Sequence, residues 1–335
     1  MTRKKALIIV NTGTPDSPTV RNVRKYLFQF LNDKRVIDLP WLGRFLLVNL
    51  IIVPFRAPKS TKLYKRLWTK DGSPLLFHLK NLTEKVQQTL SETHDVYGAM
   101  RYGKPSFKSL LEELKDKHYE EIKVLPLFPQ YATSTTESIA DVLNNAQRKY
   151  HLSDSIQFVR QFYDNKIFLK AFSDRIKDAK PDTYDHIIFS YHGLPNRQVN
   201  KLHPGINAET CPCVEELPVH GKYCYKATCY HTTRLLAKQL NLPKESYTVS
   251  FQSRLSKNWL TPFTDETLIG LAKSGKKRVL IVAPSFVADC LETIIELKYE
   301  YAELFKLHGG EELTLVQSLN DSDLWVESIK MLALK

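Results

Sequence analysis

Residues 9–15 read Ile-Val-Asn-Thr-Gly-Thr-Pro, and residues 189–195, 180 positions later, read Phe-Ser-Tyr-His-Gly-Leu-Pro. Each is a short run that breaks into a Gly-x-Pro turn, as a strand does where it leaves a sheet. A second pair of segments repeats as well. Lys123–Ser138 resembles Arg278–Thr293, with Pro129 meeting Pro284, Tyr131 meeting Phe286 and Glu137 meeting Glu292 at an offset of 155. A chain that shows one strand-turn-helix unit twice is expected to fold as two α/β domains of similar plan.

The surrounding pattern agrees. Apolar, β-branched runs recur at Leu7–Val10, Ile122–Leu127, Ile156–Val159, Ile187–Phe189, Val279–Val282 and Leu313–Val316. Most are apolar on both faces, as strands covered on both sides by helices are. Helical periodicity lies between them, at Phe107–Asp116, Ser138–Lys149, Ile167–Ile176 and Thr232–Leu240. Strand alternating with helix predicts parallel sheets. The expected organisation is an N-terminal α/β domain over 1–150 and a C-terminal α/β domain over 151–318. A last helix, 319–335, is expected to pack back on the first domain.

The two offsets differ by 25 positions, so the first domain should carry an insertion of that size. The segment 39–64 is the candidate. It holds the apolar stretch Phe45–Phe55 between Arg44 and the basic residues Arg56, Lys59 and Lys62. A domain core does not need so apolar an insertion. It reads as a surface lip that meets either a large apolar ligand or a membrane interface.

Composition narrows the class. With 335 residues, 43% hydrophobic and 25% charged, the chain has the profile of a globular protein and not of a disordered or fibrous one. No unbroken apolar run reaches the roughly 18 residues of a spanning helix. Arg3, Lys4 and Lys5 precede only Ala6–Val10, too short for a secretory core, so a cytoplasmic location is expected. The net charge of +12 suits an anionic partner. No aromatic-basic module accompanies it, so nucleic acid is not expected as that partner.

Four features carry chemistry or imitate it. Gly270–Lys276 resembles a phosphate loop but is followed by Lys277 where Ser or Thr should hold Mg²⁺, and it leads from helix to strand, the reverse of the required order. It is rejected. His192 stands just past the carboxyl end of a strand, where parallel α/β folds bind ligands, and an imidazole there can exchange protons or ligate a metal. Asp289, Glu292 and Glu296 follow the strand Val279–Val282 at spacings of three and four, so their carboxyls are expected on one helical face. Apolar neighbours at Cys290, Leu291, Ile294, Ile295 and Leu297 argue against a solvated charge face. Finally, Cys211, Cys213, Cys224 and Cys229 lie within 19 positions. Four thiolates suffice for a [2Fe–2S] cluster or a structural zinc, and the Cys-x-Cys start is not a zinc-finger spacing.

These residues, with several longer segments, resemble the ferrochelatase family, enzymes that insert ferrous iron into a porphyrin. The segments are Asn11–Ser17, Trp68–Leu75, Met100–Gly103, Leu125–Ser138, Ser190–Pro195, Phe251–Arg254, Trp259–Glu266 and Phe286–Leu297. The resemblance extends over nearly the whole chain, and these segments are spread along it. The resemblance implies two Rossmann-like domains with a porphyrin cleft between them and an apolar lip that rests on the membrane. It implies His192 as base or metal-facing ligand, Glu292 opposing it, and Glu296 and Asp289 continuing an acidic, metal-bearing track. Trp259 would line the cleft, and Arg101 and Ser134 match positions near the porphyrin. Cys290 departs from the animal-type pattern, which has a second histidine there. Some bacterial relatives hold a [2Fe–2S] cluster on an internal four-cysteine set, which Cys211, Cys213, Cys224 and Cys229 would match.

The expected reaction is insertion of Fe²⁺ into protoporphyrin IX, forming protohaem with loss of two protons. It calls for a distorted ring, a base and a route for the metal. Coproporphyrin as the substrate, and a non-catalytic haem or porphyrin carrier, are the rivals. The partners expected are protoporphyrin IX, ferrous iron and the inner-membrane surface, with a homodimer left open.

Overall fold

A computed structural model describes residues 4–152, 155–203 and 205–335; Arg3, noted above, lies outside the described residues. The chain divides into two compact units.

The first unit comprises 1–128, 132–161 and 320–335. Its four strands are β1 (Lys5–Thr14), β2 (His94–Gly103), β3 (Ile122–Pro126) and β4 (Ile156–Phe158), all parallel, in the order β2-β1-β3-β4. Its helices are α1 (Val20–Leu31), α2 (Trp41–Leu67), α3 (Pro74–Leu90), α4 (Phe107–Glu113) and α5 (Ser138–Tyr150). On one sheet face Ala6, Ile8 and Val10 join Ile122 and Val124 against Phe107 and Leu111 of α4 and Ile139 and Leu143 of α5. Leu7 and Ile9, between them on the other face of β1, are buried as well, so this strand is covered on both sides.

The second unit comprises 129–131 and 162–319. Its strands are β5 (His186–His192), β6 (Tyr247–Gln252), β7 (Arg278–Val282) and β8 (Glu312–Leu315), parallel in the order β6-β5-β7-β8. Around them lie α6 (Lys166–Asp178), α7 (Tyr225–Leu240) and α8 (Thr264–Lys273), then a π-helix at Glu292–Glu300 that runs into Tyr301–Leu307. The two sheets have one plan, with β1 to β4 standing for β5 to β8, as the repeats at 9–15 and 123–138 predict. Each unit also has a π-helical turn after its third strand, at Thr133–Glu137 and Glu292–Glu300.

The glycine shared by the repeats has a steric cause in both. A Cβ on Gly13 would lie 1.8 Å from the Tyr102 carbonyl oxygen, and one on Gly193 would lie 2.8 Å from that of Gln252. Gly13, near the end of β1, and Gly193, just after β5, each lie against the backbone of the neighbouring strand, and only glycine leaves room.

Two details of the strands differ from the sequence pattern. β2 and β6 were not legible as apolar runs, because they alternate and carry His94, Asp95, Arg101, Ser250 and Gln252. β4 pairs with β3, so the first unit extends to Gln161 instead of ending at 150. The last helix, α9 (Asp323–Leu334), belongs to the first unit. Lys123 donates to the Ala333 carbonyl at 2.7 Å, and His78 meets Asp321 at 2.8 Å.

The segment 39–64 forms most of one long helix. α2 is continuous over 27 residues, with a π turn at Leu47–Ile52, and is long and apolar enough to cross a membrane by length and composition. The sequence pattern did not anticipate this, since the helix runs on through Arg56, Lys59 and Lys62 past the end of the apolar run. One side packs inward through Val48, Val53, Ala57, Thr61 and Tyr64. The other leaves seven large apolar side chains exposed: Trp41 (68%), Leu42, Phe45, Leu46, Leu50 (65%), Ile51 and Phe55 (72%).

Candidate active site

β5 delivers His192 to its carboxyl end, half-buried, in register with Gln252 of β6. The following loop is zipped to the loop after β6. The Gly193 N–H donates to the Gln252 carbonyl at 2.8 Å, Leu260 N–H to Leu194 at 2.9 Å, and Asn196 N–H to Asn258 at 3.0 Å. This brings Trp259 beside His192, with ring centroids 6.5 Å apart, and Phe286 lies 6.3 Å away. His192 Nδ1 is 2.6 Å from the Gly193 carbonyl oxygen. A carbonyl only accepts, so Nδ1 carries the proton, and in the neutral ring Nε2 keeps its lone pair.

The carboxylates stand on and before the π-helix. Glu292 is its first residue and half-buried. Burial and the charge of Glu292 push the Cys290 thiol up, well above its ordinary range. Glu296, one turn on, accepts from Ser253 N–H at 2.8 Å, from Ser253 Oγ, from Gln252 Nε2 at 3.2 Å and from Tyr301 Oη at 3.0 Å. A carboxylate has about four acceptor positions, so these donors occupy them all. Asp289 is not on the helical face with them. It lies ahead of the helix, buried, where Thr293 Oγ1 donates to it at 3.3 Å. The chain is an irregular turn and bend up to Cys290 and becomes helical only from Leu291, so helical spacing does not apply to it.

Behind the carboxylates runs a buried polar chain that the sequence did not disclose. Gln252 accepts from Ser190 Oγ at 2.9 Å; Ser190 and Thr264 hydroxyls are 2.9 Å apart, and Thr264 and Ser250 are 2.8 Å apart. All four residues are fully buried. The legible sign was a serine at the same register position, Ser190 and Ser250, in each of two neighbouring strands.

Arg101 and Ser134 lie in the first unit. The Arg101 guanidinium is held by Asp33 Oδ2 at 2.5 Å and by Ser138 Oγ at 2.7 Å, so much of its donor capacity is engaged internally. Tyr102 also donates to Asp33, at 2.9 Å. Ser134 sits half-buried on the π turn Thr133–Glu137.

The four cysteines are free thiols, all buried. Cys213 is pushed up to about 12, chiefly by burial and further by the thiols of Cys211 and Cys224. Burial likewise raises Cys224 and Cys229, with neighbouring thiols adding to it. Cys211 Sγ is 3.3 Å from His220 Nε2. Among the described residues no three His, Cys, Asp or Glu side chains are arranged to hold a metal ion.

Comparison with known proteins gives a consistent result. A family model described as Ferrochelatase matches residues 4–335. Proteins named Ferrochelatase are similar along the whole length. One from Legionella pneumophila (strain Lens) is 40% identical over 98% of both chains. Another, from Bdellovibrio bacteriovorus, is 39% identical over 97% of both. Among solved structures, CbiX, described as the terminal enzyme for siroheme biosynthesis in denitrifying bacteria, superposes with a TM-score of 0.50. It covers 97% of this chain and 98% of its own at 12% identity, a likeness of fold alone.

Proposed function

The chain belongs to the ferrochelatase family, a family of metal-ion chelatases that form haem, and from that premise we propose how its own residues do so. The substrate is protoporphyrin IX, the less soluble porphyrin, collected at a membrane surface by the apolar face of α2. At roughly 1.5–3 kcal/mol for each large side chain fully buried, even partial burial of seven would hold the protein at an interface. Packing of the opposite side through Val53, Ala57 and Tyr64 supports lying on the membrane over crossing it. The location this implies is the cytoplasmic side of the inner membrane.

His192 and Glu292 divide the chemistry. His192 Nε2 has a free lone pair in the neutral ring and aromatic neighbours in Trp259 and Phe286. That surrounding suits a base facing a flat ring and disfavours a hydrated dication. Glu292 supplies the charge that draws Fe²⁺ from water, and Asp289 and Glu296 add to the negative potential along its approach. Two pyrrole protons leave as Fe²⁺ enters, so the balance is one metal in and two protons out. Trp259 would stack on the porphyrin. The observation that carries the assignment is the Nδ1–carbonyl bond that fixes the His192 tautomer.

The test is anaerobic Fe²⁺ insertion followed by porphyrin absorbance, with protoporphyrin and coproporphyrin side by side. Protoporphyrin should be converted, and His192→Ala should lower turnover by about 10²–10⁴-fold while porphyrin still binds. Preferred conversion of coproporphyrin would overturn the substrate, tight binding without turnover would favour a carrier, and near-normal turnover by the variant would remove the base.

Cys211, Cys213, Cys224 and Cys229 are proposed ligands of a [2Fe–2S] cluster. Their number and burial support it, although among the described residues no three of these side chains already stand in a metal-holding arrangement. Such a cluster would supply one-electron chemistry and a cross-link between the 211–213 segment and α7. Anaerobically purified protein should be red-brown with about two iron and two sulfide per chain. Colourless, iron-free protein prepared in this way would remove the assignment.

A further inference from the structure

Gln252 is hydrogen-bonded to both halves of the candidate site. Its main-chain carbonyl accepts from Gly193, next to His192, at 2.8 Å. Its side-chain Nε2 donates to Glu296 Oε2 at 3.2 Å and to the Glu292 carbonyl at 3.4 Å. The amide cannot be turned round, because both groups facing Nε2 only accept. The directions behind it follow. The single Ser190 hydroxyl proton goes to Gln252 Oε1, so Thr264 must donate to Ser190 and Ser250 to Thr264. Every hydroxyl in this buried chain thus points toward Glu296, and each bond polarises the next. Ser253, the following residue, is held in the left-handed region at φ +61° and turns both its N–H and its hydroxyl on the same carboxylate.

We infer that Gln252 is a positioning residue that sets His192 against Glu292, and that Glu296 is the anchor by which it grips the π-helix. Glu296, with its acceptor positions filled by donors, fixes the helix instead of ligating the metal. Ser253 shares the grip on Glu296, but the Gln252 amide also reaches the Glu292 carbonyl, so it bears on the direction of the Glu292 side chain as well as on the register of the π-helix against the end of β6. The inference rests on the chelatase reading of the site.

The test is charge exchange. In Q252E an acceptor replaces the donor and faces the Glu296 carboxylate, a repulsion relieved when one of the two takes up a proton. We expect kcat to fall about 100-fold near neutral pH with porphyrin affinity little changed, and the ratio of variant to wild-type kcat to rise as pH falls. The double variant Q252E/E296Q restores an N–H···O pair in the reverse sense and should recover turnover to within about tenfold of wild type. A purely space-filling role would give neither the pH dependence nor the rescue. Q252E active within about threefold of wild type at every pH overturns the inference, as does a double variant no better than the single one. If Q252E does not fold, the double variant decides, and its own failure to fold counts against the inference. Wild-type protein run in parallel separates the two readings: inactivity toward both porphyrins sinks the chelatase assignment, whereas active wild type with an indifferent Q252E sinks only this one.

Discussion

His192 was legible as a candidate because a histidine at a Gly-Pro turn after a strand is chemically exposed wherever the fold places it. Its tautomer was not legible, because that depends on the loop folding the Gly193 carbonyl back to Nδ1. Gly193 shows how tightly the surroundings are set. A Cβ there would meet the Gln252 carbonyl oxygen at 2.8 Å and the Trp259 ring at 3.2 Å. The first obstacle is backbone and cannot swing aside. Gly193→Ala should therefore destabilise the protein by about 1–3 kcal/mol and reduce turnover through displacement of His192. Thermal unfolding with parallel kinetics checks this, and an unchanged midpoint would show that the loops after β5 and β6 are looser than their hydrogen bonds indicate. Glu296 marks the limit of reading residues singly. It resembles a metal ligand in sequence, whereas in the fold four donors meet its carboxylate.

At the scale of elements, the acidic segment and the lip were both visible, and both took an unexpected helical form. The spacing of Asp289, Glu292 and Glu296 implies one regular helix, whereas the chain stays irregular through Asp289 and then enters a π-helix. Periodicity cannot separate these, since spacings of three and four fit a helix wherever it begins. In α2 the apolar run was read to its end at Phe55, yet the helix continues to Leu67. Helix length there follows from packing of Ala57, Thr61 and Tyr64, which no count of apolar residues reveals. The exposed face makes its own prediction. Leu50→Glu with Phe55→Glu should reduce sedimentation with anionic lipid vesicles by roughly tenfold or more while leaving the fold intact, since both side chains point to solvent. Equal sedimentation of variant and parent would remove α2 as the membrane-facing element.

For the molecule as a whole, buried histidines set a pH limit. Burial lowers His94, His186 and His231 from the ordinary 6.5, with the nearby cations Lys5, Lys276 and Arg234 adding to it, respectively. In the unfolded chain all three take up protons as pH drops through 6.5, while in the folded chain they resist, so the unfolded state binds more protons there. Stability should therefore be level in this respect above about pH 7.5 and fall on acidification below 6.5. Unfolding midpoints across that range check the sign, and a midpoint that rose on acidification would contradict it. The sequence by itself determined the doubled α/β plan, because strand ends, turns and glycines obey local rules that survive into both repeats. It also determined the family, because motifs spread along the chain need no geometry to be matched. Only the tertiary structure decided that Gln252 joins the His192 loop to the π-helix. That role depends on β5 and β6 lying side by side and on four hydroxyl and amide groups being buried together, and long-range pairing of this kind leaves no periodic trace in a single strand.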